Sequence, residues 1–121
     1  NIHMAKEGNY FWELFNYEEV LSNDLLISAF GVSTYEFLAL GMPIITFGHK
    51  EQNANSANFL ASKTKALISL GLIDNISAEQ LALVLSNLDA DNKKLTQLTN
   101  NAEIHIDLEG INRVRNIIHN I

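Results

Sequence analysis

Short apolar runs alternate with segments of helical period along the first part of this chain, and that alternation constrains the fold more than any other feature. Asp24 to Phe30 (DLLISAF), Pro43 to Phe47 (PIITF) and Ala66 to Leu70 are short, apolar and bounded by turn-forming or polar residues, so they read as buried strands. Val32 to Leu40 and Gln52 to Ser62 read as the helices between them, with Gly48 to Glu51 as a loop. Gly41 and Pro43 supply the first helix with its stop, and proline is tolerated at the first position of the strand that follows. Strand, helix, strand, helix, strand with short connections is the pattern of parallel β-α-β units, whose crossovers lay helices on the faces of the sheet. The expected fold class is therefore α/β, a three-layer Rossmann-like domain with a parallel sheet.

The flanking segments are mostly helical. Trp12 to Ser22 has apolar Trp12, Phe15, Val20 and Leu21 among acids, an amphipathic pattern, and Ile2 to Met4 reads as the end of a fourth strand. Ser77 and Gln80 form a capping-box signature ahead of Leu81, Val84, Leu85 and Leu88. Asp91 to His105 and Ile111 to Ile118 continue as helices, separated by a turn at Glu109-Gly110. At 121 residues the chain suits one core, so residues 1–121 are expected to form a single domain. It opens at Asn1 without an initiator methionine, which points to a domain truncated at its N-terminus, with Asn1 to Met4 as a cloning remnant the alternative.

Charge and cysteine content narrow the function. Fourteen acids against eight bases give a net charge of -6, and the bases are dispersed, so a nucleic acid partner is not expected. With no cysteine there is no thiolate nucleophile, disulfide or cysteine metal site, as suits a reducing compartment. The apolar runs fall short of membrane-spanning length and no export signal opens the chain, so the expected location is the cytoplasm. His3, His105 and His119 are scattered without ligand spacing, so no metal site is expected, and no cofactor is expected either.

Two polar clusters follow strands and so belong to one rim of a parallel sheet, where ligands bind in such folds. The first is Gly31, Val32, Ser33 and Thr34, at a helix start whose N–H groups and dipole favour a phosphate. Gly31 admits close backbone approach, and Ser33 and Thr34 add hydroxyls. This is neither a dinucleotide fingerprint nor a Walker loop, having one glycine and no following lysine. Glu36 has two readings: Ser33-x-x-Glu36 has the spacing of a capping box, while a carboxylate there also suits the vicinal hydroxyls of a ribose. The second cluster is His49, Lys50, Glu51, Gln52, Asn53 and Asn55, whose amides suit a base edge or sugar hydroxyls, and whose His49 and Lys50 suit phosphate; a solvated loop and helix start is the alternative. Asp107, Glu109, Arg113 and Arg115 read as a turn and a solvated face.

From Asp24 to Leu60 the chain resembles the C-terminal domain of the UDP-sugar hydrolases of pseudaminic acid synthesis and of related spore-coat and surface-polysaccharide glycosyltransferases. More distantly it is similar to the lipid II-forming N-acetylglucosaminyltransferase. The family pattern of a small residue, a glycine pair, Ser/Thr-x-x-Glu and then Gly-x-Pro is matched by Ser28, Ala29, Gly31, Ser33, Glu36, Gly41 and Pro43. Phe30 departs from it, standing where the pair has its first glycine, and Glu51-Gln52-Asn53 exchanges the amides of the family's Glu-Asn-Gln. Asp107 to Ile118 is similar to the family's closing helix.

The resemblance implies a GT-B architecture of two Rossmann-like domains with the nucleotide sugar between them, this chain corresponding to much of the C-terminal one. It implies that Gly31 to Thr34 lie by the diphosphate and that Glu36 holds the ribose. The water-activating histidine of the hydrolases belongs to the N-terminal domain, and none of the four histidines here matches it. The expectation is thus the binding half of a UDP-sugar hydrolase or glycosyltransferase of surface-polysaccharide or nonulosonic acid biosynthesis, inactive alone and without catalytic residues of its own. Its expected partners are a nucleotide sugar, the missing N-terminal domain and, through an exposed sheet edge, a second copy as a homodimer. The alternative is a non-catalytic Rossmann-like binding or interaction module.

Overall fold

The computed structural model describes residues 16–121. Helix α1 spans Tyr17–Leu21 and leads into strand β1 (Leu26–Ala29), helix α2 (Val32–Ala39), strand β2 (Ile44–Gly48), helix α3 (Glu51–Thr64) and strand β3 (Ile68–Leu72). A 3-10 turn at Ile73–Asn75 then precedes α4 (Ala78–Ala90), α5 (Asn92–His105) and α6 (Gly110–His119). The result is a small α/β domain with a three-stranded parallel sheet in the order β1-β2-β3, flanked by helices.

The central strand is apolar on both faces because both are covered. Ile44, Ile45 and Thr46 are fully buried, and the Thr46 hydroxyl, with no water to reach, donates to the Ser28 carbonyl at 2.9 Å. On one face Ile44 joins Phe37 and Leu38 of α2, Met42, Ala66 and Leu67, and Ala102 of α5 in the main core. The register Ile27↔Ile45 sets the alternate residues on the opposite face. There Ile27, Phe47 and Leu70 border a groove of about 230 Å³ with Ala78 and Leu81 of α4.

Two expected elements change at their ends. The helix foreseen from Trp12 to Ser22 begins, within the described residues, at Tyr17; Asn16 is extended, and its side chain accepts from the Glu18 N–H at 2.9 Å, so it caps the start of this helix. Trp12 to Phe15 and the strand foreseen at Ile2 to Met4 lie outside the described residues. The third strand runs from Ile68 to Leu72, two residues later than Ala66 to Leu70. Ala66 and Leu67 are buried as core of the connection: Lys65 closes α3 in the left-handed region, and the Ala66 N–H donates to the Thr64 hydroxyl. The strand extends past Leu70 through a bulge in its pairing with β2, where Gly71 has φ +85.

The other end signals behave as their chemistry requires. Gly41, at φ +81, closes α2 with bonds from its N–H to the Leu38 carbonyl and from the Met42 N–H to the Phe37 carbonyl, the Schellman pattern. Met42 and Phe37 meet in the core beneath it. Ser77 accepts from the Gln80 N–H at 3.1 Å at the start of α4. Before α6, Asp107 pairs with Arg113 at 3.0 Å, which holds its carboxyl below the usual carboxylate range. Helix α6 itself shows a stripe of Ile111, Val114, Ile117 and Ile118, each more than half exposed.

Among the described glycines the closest approach is at Gly48, where a Cβ would stand 2.2 Å from the backbone nitrogen of Ala54. No rotamer change relieves a clash with backbone. Gly48→Ala is expected to cost about 2 to 4 kcal/mol, against about 1 to 2 kcal/mol for Gly41→Ala, whose penalty is chiefly its left-handed φ. Urea titration of the two variants checks the order.

Candidate functional site

Strands β1 and β2 are parallel neighbours with Ala29 opposite Phe47, so the turns that follow them emerge on one rim. One turn, Phe30-Gly31, delivers the chain to α2; the other, His49-Lys50, delivers it to α3. Gly31 and Glu51 therefore lie at the carboxyl ends of adjacent strands. The first N–H groups of a helix have no partner inside it, and here no side chain caps either start. Elsewhere side chains do: Asn16, Ser77 and Asp91 cap α1, α4 and α5, although the exposed α6 also lacks such a cap.

The capping reading of Glu36 is overturned. Gly31 is the N-cap of α2, so the reciprocal position belongs to Thr34, whose hydroxyl accepts from the Gly31 N–H at 3.0 Å. Glu36 is two residues too far along to close the helix start. Thr34 lies inside the fold, 1% exposed, so its hydroxyl is withdrawn from solvent while Ser33 is exposed. Glu36 is exposed on α2 together with Val32 and Ser33, four and three residues before it.

Glu36 accepts a hydrogen bond from the Tyr17 hydroxyl of α1. The Tyr17 ring leans on Phe37 at 5.5 Å between centroids. That hydrogen bond, chiefly, and the carboxylate's negative charge push the Tyr17 phenol above its ordinary pKa. Tyr17 was not foreseen as a site residue, since 19 positions separate it from Glu36 and no spacing rule joins them. Phe30, the departure from the glycine pair, is half-buried with its ring edge-on to Tyr35 at 5.9 Å. Tyr35 thus gives the bulky side chain a place beside α2.

At the second turn, His49 and Lys50 are exposed, and the His49 ring stands edge-on to Phe47 at 5.6 Å. Glu51 and Gln52 are exposed in the first turn of α3, while Asn53 is half-buried. Glu51 already complements the helix dipole. Among the described residues no three histidine, aspartate or glutamate side chains are grouped to hold a metal, and no helix is long and apolar enough to cross a membrane. Comparison with protein-family models, with curated proteins and with solved structures gave no significant match.

Two measurements follow from this geometry. A Cβ on Gly31 would meet nothing within 4 Å, so Gly31→Ala is expected to leave stability within about 0.5 kcal/mol of wild type, as thermal melting checks. A loss of ligand binding in that variant would then report on ligand approach and not on folding. In the second, the Tyr17–Glu36 bond needs a protonated phenol. Because the folded phenol's pKa is raised, any stability from that bond is fully present below the unfolded tyrosine pKa and is lost as pH rises through the folded value. Ultraviolet titration should show one tyrosine ionising late in wild type and earlier in Glu36→Gln.

Proposed function

We propose that the chain is the nucleotide-sugar-binding part of a GT-B-type UDP-sugar hydrolase or glycosyltransferase, corresponding to much of the C-terminal domain of that fold. The observation that supports this most is the rim itself: two helix starts without side-chain caps, at the carboxyl ends of adjacent parallel strands, beside an exposed carboxylate. Unpaired N–H groups at the start of α2 suit a diphosphate, with Gly31 allowing close approach and Ser33 adding a hydroxyl. Glu36 suits a ribose diol, an interaction in which an ionised acceptor strengthens each bond. His49 and Lys50 offer positive or neutral donors to phosphate oxygens, while the amides of Gln52 and Asn53 and the Glu51 carboxylate suit base-edge or sugar groups.

In this reading the α2 start stabilises UDP as it departs, which favours cleavage of the sugar–phosphate bond, and a second domain of the same protein positions water or an acceptor. The resemblance assigns water activation to the N-terminal domain, and none of the four histidines here matches that residue, so the 121-residue chain alone is expected to bind and not to turn over.

Calorimetric titration of wild type and Glu36→Gln with UDP and 2′-deoxy-UDP tests the reading. Wild type should favour the ribonucleotide, and Glu36→Gln should weaken UDP binding by about 1.5 to 3 kcal/mol and lose that preference. Failure of wild type to bind UDP at millimolar concentration would instead favour a non-catalytic binding or interaction module. Equal affinities for both nucleotides in both proteins would remove Glu36 from ribose recognition.

A further inference from the structure

Glu36 is an exposed side chain on the outer face of α2, and an exposed glutamate ordinarily samples many rotamers, freedom that a ligand must take away on binding. Here a second element restrains it. The Tyr17 hydroxyl donates to Oε2 of Glu36, and Oε1 has no hydrogen-bond partner among the described residues. Tyr17 is itself well placed to act as a fixed point. Its ring rests on Phe37, which is 4% exposed and part of the main core, and α1 is started firmly by the Asn16 cap. The donor is therefore anchored through its ring, while its hydroxyl reaches an otherwise free carboxylate.

We propose that Tyr17 is a positioning residue for the ligand site: it fixes the Glu36 carboxylate through one oxygen so that the other is presented to a ribose hydroxyl. This rests on the reading of Glu36 given above and adds a specificity-determining residue to it. A phenol suits the task because it donates one hydrogen bond and carries no charge, leaving the carboxylate's negative charge available to the ligand. Phenylalanine at this position keeps the ring packing and loses only the donor, so Tyr17→Phe separates positioning from structural support of α1.

The test uses the 121-residue chain, with UDP and 2′-deoxy-UDP as probes, in wild type, Tyr17→Phe, Glu36→Gln and the double variant. Tyr17→Phe should melt with wild type, yet its preference for UDP over 2′-deoxy-UDP should fall by about three- to tenfold, the range expected when a preorganised contact loses its support. The double variant should discriminate no worse than Glu36→Gln, because Tyr17 acts only through Glu36. An unchanged or increased preference in Tyr17→Phe, with Glu36→Gln losing it, overturns the positioning role while leaving the ribose role of Glu36 intact. Any preference that Glu36→Gln retains and the double variant then loses overturns it also, since Tyr17 would then be acting by another route. Wild type that binds UDP without preferring it to the deoxynucleotide, or does not bind it, removes the underlying reading and this inference with it.

Discussion

The contact between Gly48 and Ala54 sets the geometry on which the rim depends. β2 ends in a residue without a side chain, and the first turns of α3 lie directly against it, closer than any Cβ would allow. That approach turns the chain sharply from strand to helix through His49 and Lys50 and keeps the start of α3 over the strand end. From there α3 runs back along the sheet to Thr64, and β3 can pair in parallel from Ile68 onward. The first crossover ends differently, in the left-handed turn at Gly41 with Met42 folded onto Phe37. One glycine thus permits contact and the other permits reversal.

Much of this architecture was legible because its signals are local. Apolar runs bounded by turn residues gave three strands, and glycine followed by proline marked the end of α2. What escaped was decided by competition between neighbouring groups. Ala66 and Leu67 are apolar enough for a strand, but Thr64 and Lys65 use the preceding backbone to end a helix, and the core takes the two side chains without a sheet register. Asn16 falls within an amphipathic pattern, and its side-chain acceptor begins a helix there. The capping-box spacing of Ser33 and Glu36 is present in the sequence, yet the helix begins two residues earlier and Thr34 takes the reciprocal bond. A spacing rule identifies a partner only when the first residue of the helix is known.

The candidate site divides along the same line. Its position at the carboxyl ends of β1 and β2 followed from strand order, since consecutive parallel strands put their following turns on one side. Its side-chain chemistry did not. Thr34 and Ser33 are adjacent and chemically alike, but helical rotation buries one and exposes the other. Phe30, which departs from the glycine pair, packs its ring edge-on to Tyr35, a contact that no motif spacing announces. Tyr17 reaches Glu36 from a separate helix, a relation of tertiary structure that no pattern within either segment contains.

Helix α6 carries its aliphatic stripe into solvent with Arg113 and Arg115 as its charged residues, on a chain whose net charge is acidic. At neutral pH the net charge of -6 keeps molecules apart and so shields this surface from its own kind. Near pH 5.0, the sequence isoelectric point, that long-range repulsion vanishes while the aliphatic surface is unchanged. Colloidal behaviour is thereby expected to depend on acidity and salt, which remove or screen the charge that opposes approach of molecules carrying this exposed stripe.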